Sequence, residues 1–480
     1  MNAPAGVIMA RVYWIFLLSL VTSAALGTQG SYSRQLMRDQ ASLLILAEPS
    51  LEIELSPLLR NFDTDSKSLE RDYLKLKNAW HQLGVHSSPG DMDQSGKMGA
   101  NRSETVESAH HQNATQDLNS RLIALEPNDR FLNTMNRLRH LLWLAEQPWQ
   151  PIVLNGLLRP GDSHTEVVAI AKRLWLLGDM ETEPGYALSR YDDEVAQGVK
   201  AFQHRHGLKQ DAVIGPKTLY WLNLAPDTRA ARLARDYLLQ SRERQTLPST
   251  YVLVNIPAFD LELVDDGEAL MHSRVIVGKP SRKTPFIQSE ISAVVVNPSW
   301  RVPRRLMRLD VLPKVRKDGS YLSRKGFIVW SREGEEVKET DDFFQSAAAG
   351  KFPYLLEQRP GPDNALGRFK LHFANEDNVY LHDTPDKHLF DEPMRALSSG
   401  CVRVEKINEL SAWLANGRLA DPRRWQQTLQ TPQTTRWFTL KERLPVHFVY
   451  WTSWVDAEGK AQFREDIYGI AQNNQILAAK

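Results

Sequence analysis

The spacing of apolar residues changes once along this chain, and that change limits the folds open to it. Between residues 69 and 83 they recur at three- and four-residue intervals, which is typical of helices with one buried face. From Tyr251 onward they alternate, as in residues 259–264, which precede the turn residues Asp265-Asp266-Gly267; this pattern predicts strands and a hairpin. We therefore expect an α+β multidomain protein with a helical N-terminal part and a β-rich, β-sandwich-like C-terminal domain.

The chain has 480 residues, enough for about three folded units at roughly 150 residues each. Composition and turn signals suggest where they begin and end. The expected segments are a signal peptide or N-terminal anchor at 1–27, a helical scaffold domain at 31–150 with a disordered loop at 86–117, a three-helix module at 152–225, a connecting helix or linker at 226–250, and a β-rich domain at 251–470 with an insertion at about 301–360.

The first residues resemble an export signal. Arg11 precedes an apolar run from Val12 to Leu26, which is shorter than the about 20 residues that a membrane-spanning helix needs. We expect a cleaved signal, with an uncleaved anchor as the alternative. Either places the protein outside the cytoplasm, where a lone thiol is unusual.

Charge and cysteine content exclude several classes of function. The 59 basic and 58 acidic residues leave a net charge of +1, which argues against nucleic acid as the main partner. Cys401 is the one cysteine, so the chain has no intramolecular disulfide and no CxxC site. His110-His111 is predicted to lie in a solvated loop, and His204 and His206 on a surface, rather than to bind metal.

Cys401 is the candidate nucleophile. Gly400, immediately before it, permits a tight turn, and backbone N–H groups of Gly400 and Cys401 could form an oxyanion hole. Helical spacing begins at Ile407, so we expect the thiol to lie just before a helix, whose dipole would lower its pKa, with Arg403 adding positive charge.

A cysteine nucleophile needs a base, and three histidines lie nearby in sequence. His382 ends an apolar strand that would hold it rigidly, whereas His388 lies in a predicted loop and His372 alternates within its strand. Local chemistry alone leaves an alternative open, namely a buried structural cysteine and a core histidine with satisfied hydrogen bonds.

Two stretches carry resemblances to known families. "YLHDTPDKHLF…RALSSGCVRV" is similar to the active-site motif of the L,D-transpeptidases, a strand-borne His followed by Ser/Thr-x-Gly-Cys-x-Arg, and "PGPDNALGRFKLHF" resembles their Asn-x-hydrophobic-Gly-x-x-Lys strand. "LRPGD", "VKAFQ", "HGL" and "IGPKT", in that order from Leu158 to Thr218, resemble a three-helix peptidoglycan-binding module. The order of segments is similar to that of the long periplasmic L,D-transpeptidases of Gram-negative bacteria.

The resemblance implies a mechanism and a set of roles. Cys401 would attack the amide between diaminopimelate and the terminal D-alanine of a donor tetrapeptide, His382 would pair with the thiolate and protonate the leaving amine, and an acceptor stem would complete a 3→3 peptidoglycan cross-link. Carbapenems would acylate Cys401, and no metal or organic cofactor is implied. The roles assigned to other residues are an oxyanion hole for Gly400, ring orientation for Asp383 or a backbone carbonyl, substrate carboxylate binding or a structural salt bridge for Arg403, and the pocket lining for Tyr380, Ser399 and Trp300.

One residue departs from the shorter members of the family, which have His where this chain has Ser399. That leaves His382 as the base. The alternative functions are an L,D-carboxypeptidase, an enzyme that anchors or detaches a lipoprotein, and a non-catalytic peptidoglycan-binding scaffold. Stem peptides are the implied partners, with cell-wall synthases as further candidates, and the sequence indicates no oligomeric state.

Overall fold

The computed structural model describes residues 29–83, 129–185 and 187–471. The predicted leader at 1–27 and the whole of the predicted loop at 86–117 therefore lie outside the described residues. Contacts divide the chain into two compact units, one combining residues up to Leu247 with the chain from Trp451, the other running from Pro248 to Tyr450. Within the described ranges, no helix is both long and apolar enough to cross a membrane.

The first unit is built from amphipathic helices whose apolar faces share one core. Asp65 and Asp192 cap two of the helices by accepting backbone N–H bonds from the first turn, and Gly178, at a φ of 84°, ends a third, as expected of such residues. The helices are α1 (Gln29–Ala47), α2 (Glu52–Arg60), α3 (Ser66–Gln82), α4 (Asp129–Ala145), α5 (Val167–Leu177), α6 (Asp193–Arg205), α7 (Pro216–Asn223) and α8 (Pro226–Arg244).

One histidine of the three-helix module was predicted wrongly. His206 is buried, not on the surface: its Nδ1 bonds to the Phe202 carbonyl oxygen at 2.7 Å and its Nε2 to the Arg229 guanidinium at 3.0 Å. Burial, together with the charges of Arg205 and Arg229, lowers the pKa of His206 well below its ordinary value. His206 is therefore a neutral core residue, whereas His204 is exposed as expected.

The last described residues belong to the helical unit. The predicted β-rich domain ran to residue 470, but the chain from Trp451 groups with the helices. The buried carboxylate of Asp236 accepts hydroxyl hydrogen bonds from Thr452 at 2.6 Å and Ser453 at 2.8 Å, and Phe463 packs against the His206 ring at 5.6 Å between centroids. The strands here are Ser453–Val455 and Ala461–Phe463, and alternation along the chain does not reveal which core covers a strand.

The second unit is organised around one sheet of nine strands. Its order is β10-β3-β11-β9-β8-β4-β12-β1-β2, and β2 also pairs with β3. The long strand β3 closes the sheet, because its first part pairs with β2 and its end pairs with β11 and β10. A β-rich unit of this kind beside a helical unit confirms the predicted α+β class with a β-sandwich-like domain. The strands are β1 (Tyr251–Asn255), β2 (Asp260–Asp265), β3 (Glu268–Gly278), β4 (Ile287–Val296), β8 (Phe369–Phe373), β9 (Leu381–His382), β10 (Ala396–Ser398), β11 (Val402–Val404) and β12 (Arg436–Val449).

The stretch between β4 and β8 forms a small subdomain with a core of its own. Short helices alternate with a three-stranded antiparallel sheet of order β5-β7-β6. A π-helical turn, Met307–Val311, interrupts the first helical stretch. The elements are β5 (Trp300–Arg301), α9 (Arg304–Leu306), α10 (Leu312–Lys317), α11 (Tyr321–Arg324), β6 (Phe327–Trp330), α12 (Asp341–Ala349) and β7 (Leu355–Gln358), followed beyond β8 by α13 (Ile407–Ala415) and α14 (Trp425–Gln430), and by β13 (Ser453–Val455) and β14 (Ala461–Phe463) of the first unit.

Truncating Phe463 tests where the C-terminal residues belong. Phe463 is 1% exposed, so Phe463→Ala should destabilise the protein by about 3–5 kcal/mol through lost burial and a cavity. Hydrogen exchange should accelerate in α6 and α7, whereas Lys460→Ala, an exposed change in the same hairpin, should leave exchange unchanged. Faster exchange confined to β1 and β12 would contradict the assignment.

Candidate active site

Three neighbouring strands bring the candidate residues to one face of the sheet. His382 lies opposite Arg403 on the parallel strand β11 and opposite Lys370 on the antiparallel strand β8. Side chains directly opposite one another share a face, and alternate residues along a strand do so too. Tyr380 and Cys401, each two residues before a member of this row, continue it toward the end of the strands.

Cys401 is half-buried and lies in the wall of a cavity of about 750 Å³. Gly400 before it has a φ of 123°, which a residue with a side chain rarely adopts. The backbone N–H and the hydroxyl of Tyr380 both hydrogen-bond to the sulfur, and the Trp300 indole in turn hydrogen-bonds to the Tyr380 oxygen. The predicted residues Trp300, Tyr380, Ser399, Gly400 and Cys401 all line this cavity.

The expected effect of a helix on the thiol was wrong. Cys401 precedes strand β11, and helix α13 begins only at Ile407, so the sulfur does not lie at the N-terminus of α13. Burial raises the pKa of the Cys401 thiol above its ordinary value, against the opposing hydrogen bonds of Tyr380 and the charges of Lys370 and Arg403. The resting group is therefore a neutral thiol, and a base must remove its proton.

His382 is 5% exposed and has the tautomer that a base requires. Its Nδ1 lies 2.5 Å from the backbone oxygen of Asp383, and because a carbonyl oxygen only accepts, Nδ1 carries the proton and Nε2 keeps its lone pair. Burial, reinforced by the charges of Arg403 and Lys370, lowers the pKa of His382 to about 3. The imidazole is thus neutral at physiological pH, and its ring lies 5.5 Å from that of Tyr380.

The Gly400 N–H is not available to an oxyanion. It donates to the hydroxyl oxygen of Ser398 at 3.1 Å, and that hydroxyl donates to the Cys401 carbonyl at 2.6 Å. The Ser398 hydroxyl thus bridges two backbone groups of the turn, and the structure contradicts the predicted role of Gly400 as an oxyanion donor. The reason for a glycine at this position is its positive φ. The Tyr380 hydroxyl, already bonded to the sulfur, is the donor that the cavity offers instead.

Asp383 contributes its backbone, not its carboxylate, to the site. The carboxylate accepts from the backbone N–H groups of Arg368 and Thr384, each at 2.8 Å, and pairs with Lys387. A Cβ on Gly367 would lie 2.4 Å from Asp383 Cγ, so the glycine of the "ALGRF" segment allows β8 and β9 to meet there. Asp383 does not line the cavity. Its backbone carbonyl orients the His382 imidazole through the hydrogen bond to Nδ1.

Arg403 and Ser399 have partners within the protein. Arg403 pairs with Asp386 at 3.5 Å, which favours the structural salt bridge over carboxylate binding. Like His382, Arg403 is not among the residues that line the cavity. The Ser399 hydroxyl accepts from Arg282 Nη1 at 2.7 Å. His372 packs edge-on against Trp437 at 5.1 Å, and His388 is exposed, so neither alternative base is oriented like His382.

Lys370 is a functional candidate that sequence reasoning missed. It lines the cavity with Cys401, and its ammonium lies 4.0 Å from the centroid of the Tyr380 ring. Burial lowers the pKa of Lys370, and the charge of Cys401 opposes this. The signal was present, because Lys370 is the lysine of the motif that carried the resemblance, but only the β8–β9 register reveals its neighbours. Among the described residues no group of three His, Cys, Asp or Glu side chains is arranged to hold a metal ion.

Removing the Lys370 charge should raise the pKa of Cys401 further. The ammonium favours the thiolate, so Lys370→Met should slow alkylation of the single cysteine by iodoacetamide at pH 7 by about tenfold, the equivalent of one pKa unit. The rate measured against pH gives the pKa directly, with the exposed Lys351→Met as the matched control. An unchanged or lower thiol pKa in Lys370→Met would be inconsistent with this electrostatic role.

Comparisons with known proteins agree with this geometry. Residues 249–422 match the family described as "L,D-transpeptidase catalytic domain", and residues 163–222 match "Putative peptidoglycan binding domain". A Haemophilus influenzae protein named "Putative L,D-transpeptidase" is 35% identical over 246 residues, which cover 51% of this chain and 50% of that protein. The chain thus spans about half the length of this curated relative.

Solved structures give a weaker likeness. The L,D-transpeptidase from Xylanimonas cellulosilytica is 16% identical, with 62% of this chain and 100% of that chain covered at a TM-score of 0.19. A fused amidase, peptidase and peptidoglycan-binding protein from Clostridium acetobutylicum is 12% identical over the same shares, with a TM-score of 0.17. By the family matches, residues 249–422 are similar to the L,D-transpeptidase catalytic domain, and residues 163–222, which precede them, are similar to a peptidoglycan-binding domain.

Proposed function

We propose that this protein is a cysteine L,D-transpeptidase that forms 3→3 cross-links in peptidoglycan. It would cleave the amide between diaminopimelate and the terminal D-alanine of a donor tetrapeptide and join the acyl group to the side-chain amine of a second stem. The observation that carries the proposal is a partly buried thiol, Cys401, in the wall of a large cavity, two residues before Arg403, which lies opposite the neutral imidazole of His382.

Acylation begins with proton transfer from the thiol. His382 Nε2 takes the Sγ proton of Cys401, and the sulfur attacks the carbonyl carbon of the donor amide. Because the thiol pKa is raised and the imidazole pKa lowered, the resting pair is neutral, and the charge separation arises as the bond forms. This differs from the preformed thiolate–imidazolium pair expected from the sequence.

The tetrahedral intermediate carries a negative oxygen next to the sulfur. The Tyr380 hydroxyl is already hydrogen-bonded to the sulfur and receives a hydrogen bond from Trp300. It can turn to that oxygen, which is bonded to the carbon that the sulfur has attacked. The Cys401 N–H is the second proposed donor. Lys370, over the Tyr380 ring, adds positive charge. Donors of this kind contribute about 3–4 kcal/mol each to transition-state stabilisation.

Collapse of the intermediate and transfer then follow the reverse proton route. The His382 imidazolium gives its proton to the departing D-alanine nitrogen, leaving a thioester on Cys401 and a neutral ring. The acceptor amine attacks the thioester carbonyl while Nε2 takes its proton. Expulsion of the thiolate, which recovers a proton from His382, forms the new amide and returns the enzyme to its starting state.

The cavity carries charges suited to two stem peptides. Arg301, Arg305 and Lys370 line it together with the acidic Asp377, and two indoles, Trp300 and Trp437, supply apolar walls. Stems bear carboxylates, which the basic side chains complement, and the acceptor brings an ammonium, which Asp377 complements. This mixture supports an amine acceptor over water, and thus a transpeptidase over a carboxypeptidase.

The peptidoglycan-binding domain and the substrate support a location in the periplasm. Stem peptides are assembled into the wall outside the cytoplasmic membrane, so the proposed reaction requires export. The predicted signal or anchor at 1–27 would provide it, and the domain at 163–222 would hold the enzyme to the wall.

Purified protein incubated with disaccharide-tetrapeptide tests the proposal. Mass spectrometry should detect dimers that have lost one D-alanine, linked between two diaminopimelate residues, and a thioester intermediate on Cys401. Cys401→Ala should abolish both products, and His382→Ala should lower kcat/KM by about 10²–10⁴-fold, as removal of a general base does.

The matched control is His388→Ala, which removes the exposed neighbouring histidine and should stay within about twofold of the parent, as surface changes outside a site do. Tripeptide monomer as the sole product, with excess acceptor present, would identify a carboxypeptidase instead. Full activity in Cys401→Ala would refute the cysteine mechanism altogether.

A further inference from the structure

The turn that carries the nucleophile is clasped by one short segment, Gly278–Thr284. The Thr284 hydroxyl donates to the Gly400 carbonyl at 2.8 Å and accepts from the Gly278 N–H at the same distance. The Lys279 N–H donates to the Ser398 carbonyl at 3.1 Å. A Cβ on Gly278 would lie 2.1 Å from the Arg282 carbonyl oxygen, so the segment folds tightly on itself.

Arg282 extends this clasp to the subdomain between β4 and β8. Its guanidinium binds the Asp310 carboxylate with both terminal nitrogens, Nη2 to Oδ1 at 3.0 Å and Nη1 to Oδ2, while Nη1 also donates to the Ser399 hydroxyl at 2.7 Å. The Ser399 hydroxyl lies 3.4 Å from the same carboxylate. The Arg282 side chain is 11% exposed and the Asp310 side chain 36%, so solvent reaches this charge-assisted pair mainly from the side of Asp310.

Asp310 lies in the π-helical turn Met307–Val311, close after the residues of the subdomain that line the cavity. Those residues are Trp300, Arg301, Pro303, Arg305 and Leu306. Single π-helical turns inside helices are frequent at functional sites. The one ion pair thus joins the turn that carries the sulfur to the segment that carries part of the cavity wall.

We propose that Arg282 and Asp310 are positioning residues, which set the placement of Cys401 against the cavity wall through Ser399. The inference rests on the proposed function for its catalytic meaning, but not for its effect on the thiol. A two-pronged guanidinium–carboxylate contact fixes direction as well as distance, which a lysine in place of Arg282 would not do. Without the contact, the sulfur loses its fixed position relative to Tyr380 and Lys370, and with it part of the stabilisation of its anion.

Asp310→Asn and Arg282→Lys test the proposal, because each preserves side-chain size and removes the paired contact. Alkylation of Cys401 by iodoacetamide and kcat for cross-linking should both fall about tenfold, since small misplacements at a reacting centre are costly, while KM changes less than about threefold. The double variant should be no slower than the slower single variant, because both changes remove the same contact.

The matched control is Asp318→Asn, which breaks an ion pair with Arg324 of 2.7 Å on the exposed face of the same subdomain. It should leave alkylation and kcat unchanged. Equal losses in the control, additive losses in the double variant, or an unaltered alkylation rate in both single variants would overturn the proposal.

Two further outcomes are distinguishable. If Asp310→Asn fails to fold, Ser399→Ala removes only the hydroxyl and should slow alkylation about threefold, on the order of a single neutral hydrogen bond; no change would overturn the proposal. If the parent protein makes no cross-links, but Cys401 is alkylated more slowly in the variants than in the parent, the proposed function fails and the positioning role stands.

Discussion

The hydrogen bond between Nδ1 of His382 and the backbone oxygen of Asp383 decides what the site can do. It places the ring proton on the nitrogen that faces the main chain, and so leaves Nε2 free to accept. The buried Asp383 carboxylate accepts hydrogen bonds from two backbone N–H groups, which holds the backbone at Asp383, and with it that carbonyl, in place. The imidazole is therefore oriented by a rigid loop, and no carboxylate shares its proton.

Burial gives the pair its electrostatic character. Both the thiol and the imidazole favour their neutral forms, because desolvation is the largest cause of the pKa shift of each group. Two cations, Lys370 and Arg403, favour the thiolate and disfavour the imidazolium at once. Such a site keeps the thiol protonated at rest, and a protonated thiol is less readily oxidised than a thiolate.

The sequence predicted the parts of the site that depend on local chemistry. Alternation identified the strands that carry Lys370 and His382, but not the short strands β10 and β11 on either side of Cys401. The spacing of the motif singled out His382 among three histidines. What could not be predicted depends on register and on competing partners. Lys370 becomes a neighbour of the thiol only through the pairing of β8 with β9, and Gly400 loses its predicted role because the Ser398 hydroxyl, two residues away, reaches its N–H first. Likewise, His206 looked solvent-exposed in sequence because nothing local indicates that Arg229 and Phe463 cover it.

The chain leaves the helical unit after Leu247 and returns to it at Trp451, so the catalytic unit is, in sequence, inserted into the domain that precedes it. The core of that domain includes Phe463 near the end of the chain. The N-terminal helices are synthesised first, yet their core lacks this contribution until the last part of the chain has been made. Completion of the helical unit therefore waits for the segment from Trp451, and a chain truncated before Phe463 lacks part of this core.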